Sequence, residues 1–169
     1  MIEQDASRWP FLHNLAEVMP IADLAFGGAM LLLIMLVHAI GVRGVNLHVV
    51  HRSELLMRNP NGLRADVLML SMVSMLVLLH VVEIFLWSAG LVESGIVRDW
   101  RVAGFFAGNT YTTIGYGNFV LPLKWGMLAP IIGMSGLFAF GWSCAVLVEL
   151  VSRCQKIRDA AHAARKRET

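Results

Sequence analysis

Three stretches of the chain are apolar for long enough to cross a bilayer, and the polar residues between them are unevenly placed. The first, 21–42, is interrupted only by Asp23 at its start and His38 near its end. A hydrocarbon core of about 30 Å needs roughly 20 helical residues, and this run supplies them. The second, 65–89, carries Trp87, placed to mark its far interface. The third, 123–152, is the longest. Between the last two, residues 90–98 turn the chain, and 99–112 are too few and too polar to cross. Their length suits a re-entrant helix, with Asp99 positioned as its N-cap. Backbone at membrane depth is tolerated only where protein buries it or where it lines a wet cavity.

The polar flanks set an orientation. Residues 43–64 hold Arg43, Arg52, Arg58 and Arg64 around the turn Asn59-Pro60-Asn61-Gly62, and read as a loop in which His48 and His51 are solvated. Residues 153–169 form a basic tail with Arg153, Lys156, Arg158, Arg165, Lys166 and Arg167. Residues 1–20 carry Glu3, Asp5 and Glu17 against a single base, Arg8. The positive-inside rule puts the loop and the tail in the cytoplasm and leaves the N-terminus outside. Three crossings satisfy both placements. The first residues lack a basic start and a small-residue cleavage pattern, so they do not read as a signal peptide. Trp9, Phe11, Leu12 and Leu15 fit one face of a short interfacial helix; a disordered tail is the other reading.

Composition agrees with an all-α membrane protein. The 169 residues are 57% hydrophobic and 15% charged, against about 45–50% and about 25% for soluble domains. Once the apolar runs are removed, only tails and one loop remain, too little for a large regulatory domain. Cys144 and Cys154 lie in and just beyond the third run, on the side assigned to the cytoplasm, where a structural disulfide is not expected. No Cys/His group has metal-ligand spacing, and there is no phosphate-binding loop or catalytic triad. Neither an enzyme, an organic cofactor nor a nucleic-acid partner is expected.

The chemistry concentrates in Thr112-Thr113-Ile114-Gly115-Tyr116-Gly117. Two glycines flanking one tyrosine permit alternating backbone signs that β-branched residues hold only under strain. Such alternation aims successive carbonyls toward one axis, and the Thr113 hydroxyl adds another oxygen. One chain supplies one wall of an ion cage, so a complete cage needs several copies. The string resembles the selectivity filter of tetrameric potassium channels, in which four such loops replace the hydration shell of the ion. The resemblance covers residues 65–152 as a pore module: outer helix 65–89, pore helix 99–112, filter 113–117 and inner helix 123–152. It implies a homotetramer in the bilayer, with K+ ions held at Thr113, Ile114, Gly115 and Tyr116, and Gly117 closing the filter. The helix before the outer one, together with His80-Val81-Val82-Glu83 and Phe140-Gly141-Trp142-Ser143, is similar to small bacterial channel-like proteins with three spans. That similarity implies a bacterial inner membrane. No span carries arginines at every third position, so a voltage sensor is not expected.

The chain departs from the family around the filter. Asn118 follows Gly117 where the family usually has Asp, and Asn109 stands where the bacterial prototype has Glu. Phe105 and Phe106 replace pore-helix tryptophans and cannot donate hydrogen bonds. The acidic brace behind the filter is therefore missing, and Thr110 becomes the candidate partner of the Tyr116 hydroxyl. Glu83, one turn from His80 at membrane depth, is read either as a brace for the pore helix, for example through Arg101 or backbone N–H groups, or as half of a local His80–Glu83 pair. Gly133 and Gly136 read equally as a gating hinge and as close-packing positions, and Pro130 is early enough to kink its helix without breaking it. Trp125-Gly126 keeps the family's distance from Gly117. Counting from it without gaps puts Phe138, Gly141, Ala145 and Glu149 on the stripe facing the axis, at helical intervals of three and four. Glu149 then forms a carboxylate ring at the inner entrance or pairs with Arg153. The leading expectation is a potassium-selective channel. A non-conducting regulatory subunit and a potassium transporter subunit are the alternatives.

Overall fold

The computed structural model describes residues 21–58 and 61–167. They form helices α1 (Ile21–Arg58), α2 (Gly62–Glu93), α3 (Trp100–Tyr111) and α4 (Leu128–Arg167), with a 3-10 turn at Leu123–Trp125 before α4. No strand occurs among the described residues. Ile21–Arg58, Gly62–Glu93 and Leu123–Ala164 are each long and apolar enough to cross a membrane. The protein is an all-α, multi-pass membrane protein. The interfacial face drawn for Trp9, Phe11, Leu12 and Leu15 lies outside the described residues.

Each long helix buries one narrow face. On α1 it is Gly27, Ile34, His38, Val42, Val45, Val49 and Ser53; on α2 it is Leu68, Met72, Leu76, His80, Glu83, Trp87 and Leu91. Spacings of mostly three and four residues give a single seam. The opposite faces are apolar as well: Leu32, Leu36, Ile40, Leu70, Leu78 and Phe85 are exposed. Water would penalise that exterior, whereas a bilayer requires it.

Two apolar cores stack along the bundle. One joins Ile34, Trp87, Leu91, Phe106, Leu128 and Ile132; the other joins Val45, Val49, Leu68, Met72, Leu150 and Ile157. On α1 and α2 the residues between the cores include His38, His80 and Glu83, all buried. The polar chemistry thus sits at the waist.

Several boundaries differ from the sequence reading. Residues 43–58, read as loop, continue α1, and α2 begins at Gly62. The reason is packing: Val45, Val49 and Ser53 extend the buried seam of α1, and Val45 and Val49 meet Ala65, Leu68, Leu150 and Ile157. His48 and His51 are helical. The basic tail likewise continues α4 as far as Arg167. In the other direction α4 starts later than 123, with Pro130 in its first turn, where a missing N–H costs nothing. Trp87 does not mark an interface. It is fully buried, and its Nε1–H donates to Ser135 Oγ at 2.9 Å, linking α2 to α4. Asp23 caps a helix other than its own: Oδ2 accepts the Met127 N–H at 2.8 Å, at the entrance to α4. Both cysteines are free.

Gly136 is where α4 meets the end of α3. A Cβ at 136 would lie 1.9 Å from the Tyr111 carbonyl oxygen, whereas at Gly133 it would lie 3.5 Å from the Thr110 carbonyl oxygen, an ordinary contact. Gly136 therefore has a packing role whatever its part in motion. Gly136→Ala is expected to lower stability by about 1–3 kcal/mol or more through overpacking against backbone, while Gly133→Ala stays close to wild type. Thermal unfolding of the two purified variants in detergent checks the difference.

Candidate ion pathway and its support

Helix α3 is built to end where it does. Asp99 Oδ1 accepts the N–H groups of Arg101 (2.7 Å) and Val102 (3.1 Å), satisfying two of the orphan donors of its first turn. The opposite end leaves four carbonyls without helical partners. The Gly108 carbonyl accepts from Thr112 N–H at 3.0 Å and from Thr112 Oγ1 at 2.7 Å. The Thr110 carbonyl accepts from Thr113 N–H at 3.0 Å, and the Asn109 carbonyl from Ile114 N–H at 2.9 Å and Gly115 N–H at 3.3 Å. The fourth, Tyr111, lies against Gly136. The amides of Thr113, Ile114 and Gly115 are thereby turned back onto α3.

The backbone of that string alternates. Thr113, Gly115 and Gly117 have φ of 60°, 63° and 71°, while Ile114 and Tyr116 between them stay on the ordinary side. For the glycines this is inexpensive. For a β-branched threonine it is an outlier that costs on the order of 1–3 kcal/mol and persists only where the surroundings impose it. Here the imposing contact is the hydrogen bond of Thr113 N–H to Thr110. Thr113 through Asn118 are all exposed, Ile114 at 59% and Tyr116 at 68%.

The side chains expected to support the filter act differently from the sequence reading. Asn109 Nδ2 donates back to the Phe105 carbonyl at 2.9 Å, so Asn109 holds Ile114 and Gly115 through its own carbonyl rather than its amide. No hydrogen bond joins Thr110 and Tyr116 within the chain; Tyr116 stacks on Phe105 with centroids 6.4 Å apart. A cavity of about 190 Å³ lies between the 115–118 segment and α3, lined by Asn109, Thr110, Tyr116, Gly117, Asn118 and Leu121, among others. Asn109 and Asn118 thus face one space. Phe138, Gly141, Ala145 and Glu149 are all exposed along α4. Glu149 Oε1 accepts from Arg153 Nη2 at 2.9 Å, an exposed i,i+4 pair that contributes little.

Glu83 braces α3, though not through Arg101. Its carboxylate is fully buried and receives Tyr111 Oη, from α3, on Oε2. His38 Nδ1, from α1, lies 2.8 Å from Oε1. A carboxylate can only accept, so both partners donate. Tyr111 Oη in turn accepts from His80 Nδ1 at 2.9 Å, and His80 stacks on Phe140 of α4 at 4.2 Å. The carboxylate therefore ties together α1, α2 and α3, and His80, 3.5 Å from Oε2, extends the cluster to α4 through Phe140. Sequence reasoning missed His38 and Tyr111 as members. The signal for His38 was present, because an ionisable residue inside a span needs a partner.

Although no chain spacing announces it, the donor atoms of His38, His80 and Glu83 come within 4.8 Å of one another. Two imidazoles and a carboxylate are a donor set for a divalent transition metal. Ligation through both Nδ1 atoms would put a proton on His38 Nε2, which is buried without a partner, whereas a metal-bound imidazole normally gives that proton to an acceptor. With Nδ1 donating to Glu83, Nε2 is only an unused lone pair. The hydrogen-bonded brace fits these residues better than a metal centre.

The fold and the loop define a membrane protein with a short helix and an exposed, irregular segment between its second and third spans. The family model described as an ion channel matches residues 69–153, and the chain belongs to that family. No curated protein and no solved structure matches the chain.

Removing the Tyr111 hydroxyl leaves a buried carboxylate one donor short. Tyr111→Phe is expected to cost about 1.5–3 kcal/mol, the range for a hydrogen bond to a charged group. His38→Phe should cost a similar amount, and the double variant less than the sum, since both changes strip the same acceptor. Thermal unfolding of the four proteins in one detergent closes the cycle; strict additivity would mean that the two donors do not share Glu83.

Proposed function

We propose that the protein is a potassium-selective channel that assembles as a homotetramer and conducts passively. The observation that carries this reading is the alternation of left-handed φ at Thr113, Gly115 and Gly117, with the filter amides engaged by α3. With its N–H groups turned toward the pore helix, the strand has its carbonyls to offer on the other side. Thr113, Ile114, Gly115 and Tyr116 supply those carbonyl ligands to dehydrated K+, Thr113 adds its hydroxyl, and Gly117 closes the filter. The strain held at Thr113 is of the kind that clusters at ligand clamps.

Two features support several copies around an axis. The filter is exposed in one chain, although irregular backbone at membrane depth needs protein or a wet cavity around it. Phe138, Gly141, Ala145 and Glu149 form an exposed stripe on α4 at intervals of three and four, a face for an inner pore. The basic ends of α1 and α4 face the cytoplasm by the positive-inside rule, which opens the filter to the outside of a bacterial inner membrane. Four copies of Glu149 at the inner mouth then attract cations, with Arg153 as their local competitor.

Flux through purified protein in liposomes tests the reading, with K+ and Na+ compared. K+ flux is expected to exceed Na+ flux by at least about tenfold. Gly115→Ala, which forces an L side chain to hold φ of 63°, is expected to abolish the preference. Equal K+ and Na+ flux in the wild type refutes selectivity. Absence of flux from protein shown to be inserted favours a non-conducting subunit instead.

A further inference from the structure

The outer groove between α1 and α2 is unlike the rest of the exterior. It has a volume of about 670 Å³, and all of its lining comes from these two helices, including His48, Arg52, Leu56, Arg64, Val67 and Leu68. No residue of α3 or α4 contributes, so the groove opens away from the α4 face assigned to the pore. No acid lines it either. The nearby acids are directed elsewhere: Glu54 and Glu149 line a separate groove between α1 and α4, and Asp66 pairs with Arg158. Arg52 and Arg64 are exposed and form no ion pair among the described residues.

Depth gives this cationic rim a meaning. Arg64 and Asp66 are the last charges before the apolar run of α2 begins at Val67. Arg64 and Leu68 lie one turn apart on α2, about 6 Å along the helix. Arg64 thus stands at headgroup level with Arg52 across the groove, while Val67 and Leu68 line the acyl side. Guanidinium groups hold phosphate in bidentate geometry, and basic pockets between spans suit anionic headgroups. A soluble anion would have no use for the apolar floor. A neutral lipid would leave two arginines without a counter-charge.

We propose that the groove between α1 and α2 is a binding site for an anionic phospholipid, its phosphate held by Arg52 and Arg64 and an acyl chain laid along Val67 and Leu68. The site uses the helix that precedes the pore module, and it requires neither K+ selectivity nor a particular stoichiometry. Its failure is therefore separable from that of the channel reading.

The experiment is native mass spectrometry of the full-length protein in detergent, titrated with phosphatidylglycerol or phosphatidylcholine. Two arginines near the headgroup predict a preference for phosphatidylglycerol of roughly thirtyfold. Arg52→Gln with Arg64→Gln is expected to reduce it to within about threefold, and Arg52→Lys with Arg64→Lys to retain an intermediate preference, since charge remains without the planar fork. Arg43→Gln, exposed on α1 outside the groove, keeps the wild-type ratio. An unchanged preference in the glutamine variant, or in the lysine variant if the former does not fold, overturns the proposal. Complete displacement of phosphatidylglycerol by millimolar inorganic phosphate also overturns it, since the site would then take an anion rather than a lipid.

Discussion

A carboxylate sealed at membrane depth is costly unless donors surround it, and the arrangement of this protein follows from how Glu83 is satisfied. Its acceptors take one donor from α1, through His38, and one from α3, through Tyr111, whose oxygen in turn accepts from His80. Neither long-range partner is near Glu83 in the chain, so the carboxylate can be buried only when the helix preceding the pore module and the re-entrant helix are both in place. Apolar packing alone lets helices slide along a seam of leucines and valines. A hydrogen-bonded charge does not, because a shift of one turn leaves it bare. The brace therefore fixes register between the two stacked cores.

The same logic reaches the filter. Tyr111 is the last residue of α3, and its carbonyl packs against Gly136 while its side chain engages Glu83. Held at both ends, α3 presents the carbonyls of Asn109 and Thr110 to the amides of Thr113, Ile114 and Gly115, and Thr113 takes a positive φ against its own preference. No carboxyl group stands at Asn109 or Asn118, and the acidic support of α3 comes instead from Glu83 at its C-terminal end. His38 joins α1 to that support, so α1 is part of the packed unit rather than an appendage.

The described chain is self-consistent where helices meet one another and open where the filter and the α4 stripe lie. Its buried polar groups are mostly paired, with Asp23 Oδ1 and His38 Nε2 among the few exceptions. The exposed residues divide into an apolar belt suited to lipid and a line of Phe138, Gly141 and Ala145 beside bare filter backbone. This asymmetry accords with membership of an ion-channel family.

The all-α membrane class was legible in the sequence, because bilayer thickness turns run length directly into spans and needs no knowledge of contacts. The cap at Asp99 and the alternating backbone at 113–117 were legible for a similar reason: both depend on residues a few positions apart. Loop limits were not. Arginines and histidines at 43–58 read as loop because polarity is visible in sequence, whereas the seam of Val45, Val49 and Ser53 gains its meaning only from partners in α2 and α4. Trp87 was misplaced for the converse reason, since an aromatic near the end of a span looks interfacial until Ser135, 48 residues away, is found beneath it. The union of His38, His80, Glu83 and Tyr111 was decided by tertiary structure alone. Sequence announces that each needs a partner, but the choice of partner is a matter of which helix faces cross at the same depth, and that is settled only by packing.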